Sequence, residues 1–261
     1  MKWRSVLELF FPRQCAVCAV FDEDLCAACA AKLKLSSFSC IFCGHENNDG
    51  RTCLRCKSHF SLDGLCSAVS YHDPLAQTIV AAFKYRNHRG LAAPIATLMQ
   101  HTGSPMINSE VRPPDAFGRV SAPPAPSLPV GQAGLRRAGP KNILLVPLPL
   151  ARERLRERGY NQAALLAREL AQLTSIPLLD PSPLLKIRST PQQAKAKSRE
   201  ERFEQIKNAF ALRKEASTLI AGKRIILIDD VATSGATLNE AARVLKNGGA
   251  SSVWGWVFAH G

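Results

Sequence analysis

Eight of the nine cysteines fall into four CxxC pairs: Cys15/Cys18, Cys26/Cys29, Cys40/Cys43 and Cys53/Cys56. Two cysteines three apart on a tight turn aim both sulfurs at one point, and two such turns complete a tetrahedral thiolate shell. Eight sulfurs make two closed four-cysteine sites. Their expected ion is zinc and their expected role structural, because a closed shell leaves no position for water. Residues 12 to 60 hold few large apolar side chains, so this segment needs the metal to fold. Four disulfides are the competing pattern, but they belong to oxidising compartments. The apolar stretch Val6–Phe11 is short and interrupted by Glu8, which is unlike a cleavable leader. Sequential pairing of the CxxC turns, as two ribbons separated by a helix-like stretch Ala30–Leu35, is favoured over an interleaved arrangement. His45 and His59 lie nearby, but eight sulfurs suffice without them. Cys66 falls outside the rhythm and reads as a small buried core residue.

The rest of the 261 residues is long enough for one further domain. No apolar run approaches the roughly 18 residues of a membrane helix, so the expectation is a soluble, cytoplasmic protein with no membrane span. Lys and Arg total 34 against 21 acidic residues, a net charge of +13 that favours polyanionic partners.

Beyond Leu62 the pattern changes. Ser67–Tyr71 reads as a strand, followed by a helix with Leu75, Ile79, Ala82 and Phe83 on one face and Lys84-Tyr85-Arg86 at its end. A second helix spans Leu91–Met99, with Pro94 imposing a late start or a kink. Residues 104–140 carry eight of the 17 prolines and no apolar period, which marks a disordered insertion or linker. Buried strands follow at Ile143–Val146, Ile225–Ile228 and Val253–Phe258, alternating with helices at Ala163–Leu173 and Leu238–Leu245. Strands apolar on both faces, separated by helices, define a parallel α/β sheet.

The sharpest motif runs from Ile225 to Leu238. A buried strand delivers Asp229 and Asp230 to the carboxyl edge of the sheet, where α/β proteins place ligands. The following turn of small and hydroxyl residues leads directly into a helix. Its backbone N–H groups, the hydroxyls of Thr233, Ser234 and Thr237, and the helix dipole converge on a spot suited to a phosphate. Gly235 would let the backbone approach that ligand closely. The two acids are suited instead to sugar hydroxyls. Neither a Walker A loop nor GxGxxG is present.

This stretch resembles the phosphoribosyl pyrophosphate (PRPP) signature of type I phosphoribosyltransferases. With the four CxxC pairs, Lys84-Tyr85-Arg86 and Arg158-Gly159-Tyr160-Asn161-Gln162-Ala163, the chain is similar to the ComF family, which is associated with DNA uptake in competent bacteria and use of DNA as a nutrient. The resemblance implies a type I phosphoribosyltransferase-like domain over residues 61–261. It follows a Cys-rich double zinc ribbon over 1–60, itself opened by a short helix. It further implies that Asp229 and Asp230 bind the ribose hydroxyls, and that Ala232, Thr233, Ser234, Gly235, Ala236 and Thr237 wrap the 5′-phosphate. Mg²⁺ would accompany PRPP. Arg152, Arg154, Arg156 and Arg158 are candidate pyrophosphate contacts, Arg158 foremost, or else the exposed face of a helix partnered by Glu153 and Glu157. Lys84 is a candidate substrate contact, and residues Arg188–Asn208 correspond to a mobile hood.

Two function classes follow. One is a phosphoribosyltransferase acting on an unidentified acceptor. The other is a non-catalytic module for single-stranded DNA or nucleotides that works with a helicase in DNA import. Phe38, Phe42 and Phe60 are candidate stacking platforms in the second case, and core residues of the ribbon in the first.

Overall fold

A computed structural model describes residues 13–102, 142–188 and 198–261. The anticipated N-terminal helix, the 104–140 segment and residues 189–197 of the anticipated hood lie outside the described residues.

The core is a four-stranded, wholly parallel sheet in the order β1-β6-β5-β2, built from β1 (Gly64–Ser70), β2 (Ile143–Pro147), β5 (Arg224–Ala232) and β6 (Ser252–His260). A separate two-stranded antiparallel ladder joins β3 (Leu184–Lys186) to β4 (Phe210–Leu212). Alternation along β5 shows why its run is apolar throughout: Ile226 and Ile228 enter one core, Ile225 and Leu227 the other. On the first face pack α3 (Pro74–Tyr85), α4 (Ala92–Thr102) and α6 (Gln162–Thr174), through Ile79, Phe83, Ile95, Met99, Leu166 and Leu170. On the second face packs α9 (Ala236–Asn247), through Leu238, Ala241 and Leu245.

The cysteine-rich segment completes both faces. Cys15, Cys26 and Cys29 belong to the first core, whereas Cys40 and Cys56 belong to the second. Its only helices among the described residues are single turns, α1 (Ala27–Ala30) and α2 (Leu54–Lys57). The helix-like stretch expected at Ala30–Leu35 is therefore misplaced. Helix α1 starts directly after Cys26, and the chain beyond it extends along the outer edge of β1. There the Ser36 N–H donates to the Ala68 carbonyl and the Ser70 N–H to the Lys34 carbonyl. On the same strand, the Leu65 N–H donates to the Gly50 carbonyl. These bonds occupy groups that an edge strand would otherwise expose, and that gain overrides the local helix propensity of the alanines and leucines.

Pro94 neither delays nor kinks α4. It sits in the first turn of the helix, where its missing N–H has no intrahelical acceptor to lose. Helix α3 is capped by Asp73, whose side chain accepts from the Leu75 N–H at 2.9 Å and from the Lys34 N–H at 2.8 Å. One carboxylate thus starts the helix and pins the ribbon segment. Cys66 is fully buried in β1, and burial pushes its thiol up to about 12.

Truncating Ile226, a buried residue of the central strand, removes contacts that no neighbour can replace. The Ile226→Ala variant is expected to lose about 2–5 kcal/mol of stability, read as a lower urea midpoint at unchanged slope. An unchanged midpoint would contradict this packing.

Candidate functional site

The eight paired cysteines assemble as two groups, Cys15/Cys18/Cys26/Cys29 and Cys40/Cys43/Cys53/Cys56, with the sulfurs of each group within 4.8 Å of one another. The sequential arrangement holds. The Cys18–Cys26 and Cys43–Cys53 sulfurs are each 3.6 Å apart, far beyond a disulfide bond. This spacing approximates the edge of a tetrahedron with zinc–sulfur bonds of about 2.3 Å. The Cys26 side chain is foremost in pushing Cys29 up to about 12; around Cys15, backbone N–H groups outweigh burial and hold the thiol down at about 6. The donor set and spacing fit Zn²⁺ at both sites, and neither histidine of the region is among the ligands.

Asp229 and Asp230 project from β5 beside the neighbouring strands. Asp230 is buried, and its Oδ1 lies 3.1 Å from the Lys84 Nζ at the end of α3. Its Oδ2 is buried with no hydrogen-bond partner. Burial first, and the adjacent Asp230 charge second, push the Asp229 carboxyl up to about 7. Burial would depress Lys84, but the charges of Asp230 and Asp229 outweigh it and hold the ammonium above its ordinary value. The end of α3 is held in place by two donors to the Phe83 carbonyl: the Tyr160 hydroxyl and, at 3.2 Å, the Gln162 Nε2. The family-like motif Arg158–Ala163 thus positions Lys84 through its aromatic and amide side chains.

The loop after β5 is shorter than the sequence implies. Ala232 is the last strand residue, paired with His260, and its carbonyl accepts the Gly261 N–H. The turn proper is Thr233–Gly235, and α9 begins at Ala236. Gly235 is left-handed (φ 76°), and a Cβ there would stand 2.7 Å from the Ile41 Cδ1. The left-handed backbone is what favours glycine here, and its nearest neighbour across the turn is Ile41, which lies between two ligands of the second cysteine cluster. The Ser234 hydroxyl accepts from the Ala236 N–H at 3.4 Å.

Two clefts lie near this end of the sheet, one lined by the turn after β5 and one by Lys84, the partner of Asp230; neither Asp229 nor Asp230 lines them. One, of about 360 Å³, is lined by Thr233 and Ser234 with Ile41, Arg199, Arg202 and His260. Burial holds the His260 ring below its usual range, despite a hydrogen bond with the Thr233 backbone. The other, of about 400 Å³, gathers Lys84, Arg89, Arg156 and Arg158 around the exposed ring of Tyr85. Arg158 lies 5.3 Å from the Tyr85 ring centroid, donates to the Gln162 Oε1 at 3.2 Å and keeps a buried, unpartnered Nε. A wider groove of about 900 Å³ lies between the first cysteine cluster and Arg86–Gly90.

The arginine-rich stretch is a helix whose end reaches a cleft. Residues Arg152–Arg158 form an exposed helix, α5, in which Arg154 pairs with Glu157 at 3.5 Å. Arg156 and Arg158 at its end nonetheless face the cationic cleft. Phe42 and Phe60 stack on each other at 3.7 Å with Phe42 buried, and Phe38 packs against the core, so these rings serve packing. Sequence reasoning missed Lys186 on β3, whose ammonium burial holds below its ordinary value even though the Asp229 charge works against it. It also missed the role of Ile41 beneath Gly235. No sequence period signals either relation, because both join elements far apart in the chain.

This arrangement, with two thiolate clusters followed by paired acids and a small-residue turn on a parallel sheet, matches known families. A double zinc ribbon domain matches residues 6–67 and a phosphoribosyl transferase domain residues 157–259. The fold is accordingly that of a phosphoribosyltransferase domain behind a zinc ribbon. Competence protein F of Haemophilus influenzae is 27% identical over 259 residues, covering 96% of this chain and 98% of that protein. Competence protein ComFC of Bacillus subtilis is 30% identical over 241 residues, covering 89% and 82%. The DNA utilization protein YhgH of Salmonella typhi is 27% identical over 253 residues, covering 95% and 97%. The chain belongs to this competence protein F and ComFC family. Among the described residues, no helix is long and apolar enough to cross a membrane.

A carboxyl whose pKa is raised in the native state binds its proton more tightly there than in the unfolded chain. Asp229 therefore contributes stability that is full below about pH 4 and is lost as pH rises through about 7. Asp229→Asn keeps the acceptor for the Asp230 N–H, now 2.9 Å away, and removes the charge. It is expected to raise the melting temperature of the unliganded protein at pH 8 and to change it little at pH 4. A loss of stability at pH 8 would contradict this assignment.

Proposed function

We propose that this protein binds PRPP with Mg²⁺, or a related ribose phosphate, and transfers the phosphoribosyl group to an acceptor in DNA uptake or utilization. The observation that carries this reading is the buried, unpartnered Oδ2 of Asp230, beside a small-residue turn at a helix start and a cluster of cations. An orphan carboxylate oxygen in such a place calls for a donor from a ligand.

In this reading Asp229 and Asp230 accept hydrogen bonds from the ribose 2′- and 3′-hydroxyls. The backbone N–H groups of Thr233 to Thr237 take the 5′-phosphate at the start of α9. Lys84, Arg156 and Arg158 face the pyrophosphate. Their charges stabilise it as the bond from the anomeric carbon breaks and the acceptor bonds to that carbon. Mg²⁺ bound to the substrate neutralises part of the pyrophosphate charge. Lys84 pairs with Asp230 at 3.1 Å and is itself available to the departing group. Reduced thiolates on two structural zincs suit a cytoplasmic setting. The names of the relatives supply the biological setting, competence and DNA utilization.

A second reading is supported by the exposed Tyr85 ring within the cationic cleft. A nucleobase of single-stranded DNA stacks there while its phosphates meet Arg89, Arg156 and Arg158, with a competence helicase as the handing partner.

Titration calorimetry of the zinc-loaded protein with PRPP and Mg²⁺ separates the two. Micromolar-range binding is expected, lost in the Asp229→Asn, Asp230→Asn double variant. Affinity unchanged in that variant would refute the site. No PRPP binding, together with salt-dependent binding of single-stranded DNA abolished by Tyr85→Ala, would establish the second reading instead.

A further inference from the structure

Arg199, the first residue of helix α7 (Arg199–Ile206), binds three carbonyls drawn from two segments far apart in the chain. One Nη donates to the Phe42 carbonyl; the other donates to the carbonyls of Ile41 at 3.0 Å and Ser234 at 3.3 Å. Ile41 and Phe42 are the two residues between Cys40 and Cys43, so they form the tight turn of the second four-cysteine site. Ser234 belongs to the turn after β5. One planar guanidinium therefore fastens a zinc turn to the small-residue turn, a task that suits a rigid fork of donors and not the point charge of a lysine.

The fastening has a direction. In a trans peptide the carbonyl and the following N–H point opposite ways. Holding the Ser234 carbonyl toward Arg199 therefore turns the Gly235 N–H away from Arg199, to the other side of the turn. Ile41 reinforces this arrangement, since its side chain fills the space a Gly235 Cβ would need. Below, the Asn239 Oδ1 of α9 accepts the Ser61 and Leu62 N–H groups at 2.8 and 3.2 Å. The first four-cysteine site makes no such contact with the turn: its buried cysteines belong to the opposite face of the sheet.

We propose that Arg199 is a positioning residue that makes the conformation of the Thr233–Gly235 turn conditional on the metal at the second four-cysteine site. Zinc at Cys40/Cys43/Cys53/Cys56 shapes the Cys40–Cys43 turn. That turn presents the Ile41 and Phe42 carbonyls to Arg199, and Arg199 sets the Ser234 peptide. The first site stabilises its own ribbon without this effect. Only the ligand consequence rests on the ribose-phosphate reading: because coupling is reciprocal, a phosphate held by the turn slows zinc loss from the second site.

Hydrogen exchange of the backbone amides of residues 233–238 tests the coupling without any ligand. It is measured on the full-length, zinc-loaded protein alongside zinc content. Arg199→Ala is expected to retain two zinc equivalents and to exchange at least about tenfold faster in this segment. Arg199→Lys should fail to restore protection. Cys40→Ser should lose one zinc and show the same acceleration, whereas Cys15→Ser should lose one zinc and leave the segment protected. Where the alanine variant does not fold, Arg199→Lys decides. Wild-type exchange in the Arg199 variants, or equal acceleration in Cys15→Ser, would overturn the proposal. Ribose 5-phosphate should slow chelator-driven zinc release in wild type and not in Arg199→Ala. If it binds wild type without slowing release, the coupling is wrong. If it does not bind, the ligand reading fails, and exchange alone judges the coupling.

Discussion

Two carboxylates on consecutive residues of a buried strand repel each other and lose hydration, and the geometry around the sheet edge answers that problem. Lys84 reaches Asp230 at 3.1 Å only because α3 ends above β5. Helix α3 ends there because Tyr160 and Gln162 hold the Phe83 carbonyl. The motif that begins at Arg158 therefore serves the acids twice, by holding the helix that carries the lysine and by adding its own charge. Even so, Asp229 is pushed up to about 7 and one oxygen of Asp230 lacks a partner. A site left electrostatically incomplete in this way is suited to a ligand that brings hydroxyl donors.

The cysteine-rich segment is more than an appended ribbon. Its two clusters insert into opposite faces of the sheet, and its extended stretches pair with the outer edge of β1. The segment has little core of its own, so its zincs hold it together while the sheet supplies its hydrophobic contacts. In return it covers the edge of β1 and seats Ile41 against Gly235. Zinc stability and site shape are thus coupled through packing as well as through Arg199.

Much of this was legible in the chain. CxxC spacing fixes ligand identity because the geometry is local. The apolar runs at Ile143–Val146 and Ile225–Ile228 identify buried parallel strands because both faces of the sheet are covered. Asp229, Asp230 and the following turn stand out because acids at the end of such a run are rare without a purpose. What could not be read depends on contacts between distant segments. The chain after Cys29 abandons its helical tendency to pair with β1, and Gly235 packs against Ile41, 194 residues earlier in the chain. Arg199 looks like one arginine of a charged helix until its three carbonyl partners are seen. Arg152–Arg158 form an exposed helix whose end lines the cationic cleft.

The central claim is that one ribose phosphate spans the two clefts with its sugar on the paired acids. A crystal structure of the zinc-loaded protein with PRPP and Mg²⁺ tests it directly. The account predicts the 5′-phosphate at residues 233–237, ribose hydroxyls on Asp229 and on the orphan Oδ2 of Asp230, and pyrophosphate facing Lys84 and Arg158. Electron density for PRPP away from Asp230, with that oxygen still unpartnered, would contradict it.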